Sequence, residues 1–173
     1  MSVVVKNIIR ILIILFFQVF IVTRIPPLHQ FIVPYFYFVL ILWLPFKITR
    51  INLLVLGFLI GMAVDWFFKT PGLHAAASLL IAYLRPFVIN LLLPKEATEW
   101  GTEEPNNKTM GSVPYAVYII ILTVLHHAYL IFLEWLQFGS FFYFIAKLFA
   151  TALVSLLLIL IADLFFNKKS TVR

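Results

Sequence analysis

The sequence predicts an all-α integral membrane protein, a bundle of about six transmembrane helices that forms a single domain. Of its 173 residues, 64% are hydrophobic and only 12% are charged. Such a composition leaves too little polar surface to cover a water-soluble globule. The hydrophobic residues also lie in long segments, and a helix needs about 20 mostly apolar residues to cross a bilayer.

Six apolar segments follow one another along the chain, and most of the connections between them are short and contain proline or glycine. The second segment is the weakest, because it holds only about 17 residues and contains Pro34. Five spans, or a re-entrant second segment, are therefore alternatives. We expect spans at about 7–23, 28–44, 51–68, 73–93, 115–137 and 141–166.

The connection 94–114 is the only one long enough to form a real loop, and it contains four of the seven acidic residues. With six spans it lies on the same side of the membrane as both termini. A flexible, solvated loop is the simpler expectation, and an acidic surface for a partner is the alternative.

Basic residues predict the orientation, because Lys and Arg in short loops are retained on the cytoplasmic side. Only Arg24 and Lys69 fall on one side of six spans, whereas the other side holds Lys6, Arg10, Lys47, Arg50, Lys95, Lys108, Lys168, Lys169 and Arg173. We therefore expect a multi-pass protein with cytoplasmic N- and C-termini. This asymmetry and an attraction to anionic membrane lipid explain the net charge of +6 without a nucleic-acid partner.

Ionisable side chains at membrane depth are costly, at about 2.5–3.5 kcal/mol each, so each needs a partner or a wet cavity. Besides His74, seven such residues lie in the last four of the expected spans. They are Asp65, Arg85, His126, His127, Glu134, Lys147 and Asp163.

Gly57, Gly61 and Asp65 recur every four residues, so they share one face of the third span, where the glycines permit close approach of another helix. The sequence Thr70-Pro71-Gly72 predicts a tight hairpin between the third and fourth spans. Asp65 and His74 would then face each other across it. Two interpretations remain open: a hydrogen-bonded lock of the hairpin, or a position that binds a partner or ligand.

Arg85 lies deep in the fourth span and is followed by Pro86, which frees a backbone carbonyl about one turn earlier, near Ala82. A buried pair, or a contact with a lipid phosphate on the inner side, is the hypothesis for this guanidinium. A structural and a functional role are both open.

On the fifth span, His127 and Glu134 are seven residues apart on one face, with Lys147 at comparable depth on the sixth. His126 and His127 point about 100° apart on a helix, so a metal site is not favoured and no cofactor is expected. A Glu134–Lys147 pair is expected instead, and Asp163 is expected to meet Lys168 or water. The sequence lacks Gly-x-Ser-x-Gly and His-Glu-x-x-His, so we do not expect an enzyme.

The stretch GFLIGMAVDWFFKTPGLHAAASLLIAYLRPF, residues 57–87, resembles the central segment of the rod shape-determining MreD family. The rest of the chain is similar to that family in length and hydropathy. The resemblance is carried by Gly57, Gly61, Asp65, Pro71, Gly72, His74, the alanine run that follows, and Arg85-Pro86.

This resemblance implies a non-enzymatic scaffold in the bacterial cytoplasmic membrane. Members of the family bind MreC, a single-span protein with an extracytoplasmic domain. Through it they link the actin-like MreB filament to the RodA glycosyltransferase and its transpeptidase partner in peptidoglycan synthesis. We therefore expect a groove for an MreC-like transmembrane helix, with partner-binding positions at Gly57, Gly61, Asp65, Gly72, His74 and Arg85.

The MreD family is also similar in fold to the substrate-binding component of energy-coupling-factor transporters, a six-helix membrane bundle. A vitamin or small-molecule carrier that contacts ATPases is therefore the alternative function. An enzyme that acts on lipid-linked sugars through His126, His127 and Glu134 is a third hypothesis.

Overall fold

The computed structural model describes residues 3–22, 32–94, 103–135 and 140–166, and all regular secondary structure in these ranges is helical. The all-α prediction is thereby confirmed. The helices are α1 (Val3–Phe20), α2 (Val39–Leu42), α3 (Arg50–Phe68), α4 (Leu73–Leu92), α5 (Asn107–Met110), α6 (Ser112–Trp135) and α7 (Phe141–Phe166).

Four of these helices, α3, α4, α6 and α7, are long and apolar enough to cross a membrane. Their bounds lie within about three residues of the spans expected at 51–68, 73–93, 115–137 and 141–166, within the usual error of such predictions. Helix α1 is apolar but shorter. Four spans are thus supported in the described parts of the chain, and six are not confirmed.

The helices pack in chain order, α3 on α4, α4 on α6 and α6 on α7. We call the end of the bundle that holds residues 69–72 the hairpin end. The opposite end, which holds residues 103–111, is the loop end. Helix α1 joins the two, because Arg10 bonds to Glu104 at the loop end and Phe20 packs on Phe67 at the hairpin end, with ring centroids 5.8 Å apart.

The second expected span, 28–44, differs most from the structure. Its described residues, 32–44, contain only the single turn α2, and residues 32–38 form neither helix nor strand. Pro34 has no backbone N–H to donate and disfavours helical geometry at the residue before it. This corrects the expectation of a spanning helix in this segment.

Residues 32–44, which we call the core segment, nevertheless pass through the depth of the bundle. Tyr35 packs on His74 near the start of α4, with ring centroids 4.8 Å apart, whereas Leu44 bonds to Arg85 eleven residues later on α4. At 1.5 Å per residue, these two positions are roughly 16 Å apart. Every residue from Tyr35 to Leu44 is buried, so the core segment runs through the interior of the helical bundle.

The described part of the expected loop 94–114 is attached to the bundle rather than free. Asn106 caps α5 by accepting hydrogen bonds from the backbone N–H groups of Lys108 and Thr109. The Glu103 carbonyl accepts a hydrogen bond from the Phe46 backbone N–H at 3.0 Å. The expectation of a flexible solvated loop is therefore corrected for residues 103–111, because caps and tertiary bonds hold them.

Candidate functional site

Asp65 locks the turn between α3 and α4. Its carboxylate accepts hydrogen bonds from the Thr70 hydroxyl at 3.0 Å and from the backbone N–H groups of Gly72, His74 and Ala75 at 3.1, 2.9 and 2.9 Å. The first N–H groups of a helix have no partner within the helix, and they attract negative charge. Asp65, only 2% exposed, therefore caps α4, which confirms the interpretation as a hairpin lock.

The glycine face of α3 is occupied by α4 of the same chain. A Cβ atom added to Gly61 would lie 2.5 Å from the Ala75 Cα and 2.6 Å from the His74 carbonyl oxygen. A Cβ on Gly57 would lie 2.8 Å from the Ala82 Cβ. Because the two glycines lack side chains, the backbones of α3 and α4 lie in direct contact here. The groove expected for a partner helix is thus filled by α4.

The His74 side chain points into the interior, to the Tyr37 hydroxyl. That oxygen lies 3.2 Å from His74 Nδ1 and 3.0 Å from His126 Nε2, and Ser78 Oγ donates to it at 3.4 Å. We call Tyr37, His74, Ser78, His126 and His127 the histidine cluster. Sequence reasoning missed Tyr37, because the expected span 28–44 gave no sign that a non-helical segment would bring it there.

His127 has a single tautomer that fits its surroundings. Its Nδ1 lies 2.8 Å from the Thr123 carbonyl oxygen, which can only accept, so Nδ1 carries the hydrogen. Nε2 then accepts from Ser155 Oγ at 3.0 Å, while that oxygen accepts from the Tyr35 backbone N–H at 3.1 Å. His127 thus connects α6, α7 and the core segment.

Only one of the two ring nitrogens of His126 has a hydrogen-bond partner among the described residues. Its ring stacks on Phe38 with centroids 4.2 Å apart, and its Nδ1 is buried without a hydrogen-bond partner among the described residues. The hydroxyl oxygen of Thr123 is likewise buried without a hydrogen-bond partner among the described residues. The described residues contain no group of three or more metal-ligating side chains arranged to hold a metal ion.

Arg85 holds the other end of the core segment. Its Nε donates to the Tyr118 hydroxyl at 3.0 Å, its Nη2 donates to the Leu44 carbonyl, and the Tyr118 hydroxyl donates to the Leu42 carbonyl at 2.8 Å. Arg85 is only 1% exposed, which corrects the hypothesis of a lipid-phosphate contact. Its partners are the Tyr118 hydroxyl and the Leu44 carbonyl of the core segment rather than the carbonyl that Pro86 frees near Ala82.

The two remaining acidic side chains at membrane depth also have protein partners. Glu134 pairs with Lys147, as expected. Asp163 accepts a hydrogen bond from the Tyr115 hydroxyl at 2.7 Å, and that hydroxyl in turn accepts from Trp43 Nε1 at 2.9 Å. The expected contact of Asp163 with Lys168 involves a residue outside the described ranges.

No protein-family model, curated protein or solved structure gives a significant match to this chain. The resemblance to the MreD family therefore stays a prediction.

Proposed function

We propose that this protein is a non-enzymatic scaffold of the bacterial cell-elongation complex, located in the cytoplasmic membrane. In this proposal it binds an MreC-like single-span protein and thereby connects MreB filaments with RodA and its transpeptidase. Four helices long and apolar enough to cross a membrane are compatible with that location.

One observation carries the proposal: Asp65, Gly61 and Arg85, three residues of the resemblance, all make contacts within this chain. Asp65 binds the start of α4, Gly61 touches the α4 backbone, and Arg85 binds the core segment. Their polar atoms hold this chain together rather than an outside substrate, and a scaffold needs a fixed shape more than a reactive group. Because α4 covers the glycine face, the proposal now assigns the partner contact to the outer surface of the bundle.

The bonding of the three residues of the enzyme hypothesis also favours a scaffold. Glu134 pairs with Lys147, and His127 bonds to Ser155 and the Thr123 carbonyl, so neither is bonded to the other. A base and the group that orients it normally lie within hydrogen-bond reach of each other, directly or through one water. His126 contacts Tyr37 instead of Glu134.

Co-purification of the tagged protein from native membranes in mild detergent tests the proposal, with a tagged unrelated multi-pass protein as control. We expect enrichment of a bitopic protein with an extracytoplasmic domain, together with a glycosyltransferase and a transpeptidase. Depletion of the protein should also turn rod-shaped cells round. Normal rods after depletion, with no such partners in the eluate, would refute the scaffold.

A small-molecule carrier is the second candidate, and the histidine cluster is the observation that favours it. Aromatic rings and three imidazoles meet in the interior at the hairpin end, and His126 Nδ1 lacks a partner among the described residues. Ligand pockets combine apolar walls with a few such polar groups. A stoichiometric vitamin or energy-coupling ATPases in the same eluate would favour this function over the scaffold.

A further inference from the structure

A small groove of about 70 Å³ lies between α3 and α4 on the outer side of the hairpin, apart from the histidine cluster. Leu53 and Ala82 are buried at its floor, whereas the exposed rings of Tyr83 and Phe87 flank it, with centroids 5.5 Å apart. Arg50, the first residue of α3, lines it at the loop end. The groove is therefore apolar except for one guanidinium.

The charge of that guanidinium is not compensated by protein. Among the described residues, the Arg50 side chain has no hydrogen-bond or ion-pair partner, and it is exposed. None of the described residues that line the groove is acidic. Glu103, whose carbonyl bonds to Phe46, forms no ion pair with Arg50. An exposed cation beside an apolar groove attracts a ligand that combines negative charge with a hydrocarbon part.

Arg50 lies at the depth of lipid headgroups. Helix α3 has 19 residues, or about 28 Å, close to the hydrocarbon thickness of a bilayer, so its first residue lies at one boundary. Ala82 lies opposite Gly57, seven residues further along α3. The groove therefore extends from Arg50 about 10 Å into the apolar layer.

The size of the groove favours a lipid over a protein helix. Its volume is only about twice that of one water molecule in the liquid, whereas a helix with its side chains is about 10–12 Å across. The first methylene groups of an acyl chain fit such a space. A planar guanidinium also matches the oxygens of a phosphate, to which it donates two parallel hydrogen bonds.

We propose that Arg50 and this groove bind a phospholipid with a net negative charge, such as phosphatidylglycerol. The lipid phosphate accepts hydrogen bonds from the Arg50 guanidinium, and the start of one acyl chain lies against Tyr83 and Phe87. Zwitterionic lipids bind more weakly, because their own cationic group offsets the attraction between phosphate and Arg50.

Native mass spectrometry of the purified full chain tests this site with three lipids that have identical acyl chains. Phosphatidylglycerol is anionic, whereas phosphatidylethanolamine and phosphatidylcholine are zwitterionic. We expect phosphatidylglycerol to be retained about fivefold better than either, the size of the effect of one basic residue at an anionic membrane surface.

Two variants separate the headgroup from the acyl chain. Arg50→Gln removes the charge and should abolish the preference, whereas Lys108→Gln removes another exposed charge at the loop end, outside the groove, and should preserve it. Phe87→Ala removes one side of the groove and should lower the retention of all three lipids. Phe58→Ala, at an exposed position of α3 outside the groove, is its matched control and should leave retention unchanged.

Equal retention of the three lipids would overturn the proposal. So would a preference that survives Arg50→Gln, or one that Lys108→Gln reduces equally, because net charge alone would then explain it. A dimer that Arg50→Gln dissolves would assign the groove to a second copy of the chain instead. The scaffold proposal depends on none of these results, because it is tested by partner capture with the unaltered chain.

Discussion

The α3–α4 hairpin and the core segment, residues 32–44, differ in how their buried backbone groups obtain hydrogen-bond partners. Both must provide partners for buried backbone N–H and C=O groups where water is scarce. The hairpin does so almost alone, with helical bonds and the single carboxylate of Asp65. The core segment depends on side chains from other helices: Gln18, Arg85, Tyr118 and Ser155.

This difference teaches what most polar side chains inside this bundle do. Gln18 accepts from the Phe36 N–H at 2.9 Å and donates to the Pro34 carbonyl at 3.2 Å, so it replaces the backbone partners that a helix would have supplied. In the same way, Arg85 donates to the Leu44 carbonyl and Tyr118 donates to the Leu42 carbonyl. A polar residue at membrane depth is therefore weak evidence of a functional site in this protein. The exceptions among the described residues are His126 Nδ1, Thr123 Oγ1 and two guanidinium nitrogens of Arg10, which are buried without a hydrogen-bond partner.

Gly61→Leu should have the largest effect, because it breaks the hairpin. The added side chain meets the Ala75 and His74 backbone, which cannot rotate away. We expect a loss of more than about 3 kcal/mol of unfolding free energy, beyond the usual range for overpacking. Unfolding in mixed detergent micelles would measure it. The adjacent, exposed control Met62→Leu should cost less than about 1.5 kcal/mol, and an equal cost in both would refute the close contact.

Arg85→Leu should break the core segment. The Leu44 carbonyl loses its donor, and a buried group without a partner costs about 1–3 kcal/mol. With the Tyr118 bond also lost, we expect a loss of about 2–3 kcal/mol of unfolding free energy. Arg50→Leu makes the same replacement at the exposed start of α3 and should have a much smaller effect. If both variants unfold alike, Arg85 does not support the core segment.

Asp65→Asn tests the cap within the hairpin. An amide has one acceptor oxygen, so about half of the four bonds to the carboxylate are lost. The expected cost is about 2 kcal/mol, the upper end for a helix cap. Thr70→Val removes one bond and should cost about 1 kcal/mol or less. Faster amide hydrogen exchange at the start of α4 should accompany the loss, and unchanged exchange there would contradict the cap.

Glu134→Gln should have the smallest effect and calibrates the others, because the Glu134–Lys147 pair lies outside both regions. The side chains of Glu134 and Lys147 are 29% and 15% exposed and lie near the hairpin-end termini of α6 and α7, so the pair is not fully enclosed by protein. We expect a loss of at most about 1 kcal/mol of unfolding free energy. A double-mutant cycle with Lys147→Met measures the coupling. A coupling as large as the Arg85 effect would mean that the pair is shielded from water.

Sequence reasoning was most accurate where the partner of a residue is close in the chain. The bounds of α3 and α4, the turn at Gly72 and the approach of Asp65 to the start of α4 follow from hydropathy and turn chemistry over about 20 residues. The pairing of Glu134 with Lys147 also follows, because these residues flank one connection between two helices.

The sequence-based predictions that the structure corrects all involve contacts between distant parts of the chain. Hydropathy showed that residues 28–44 are apolar, but an apolar segment is equally suited to a lipid-facing helix and to a core filled by other helices. The glycine face predicted a close helix contact correctly, yet its periodicity does not say whether the partner helix belongs to the same chain. Arg85 required a partner, and its two partners, the Leu44 carbonyl and the Tyr118 hydroxyl, lie 41 and 33 residues away.

The sequence by itself determined the apolar environment, the all-α class, four long helices and the hairpin, because each depends on composition or on neighbours along the chain. Only the tertiary structure decided that residues 32–44 run non-helically through the interior. A non-helical backbone is stable there only when side chains from several other helices supply its hydrogen bonds, and no local pattern encodes that arrangement. Helix packing also placed Tyr37 among three histidines and left a groove between α3 and α4.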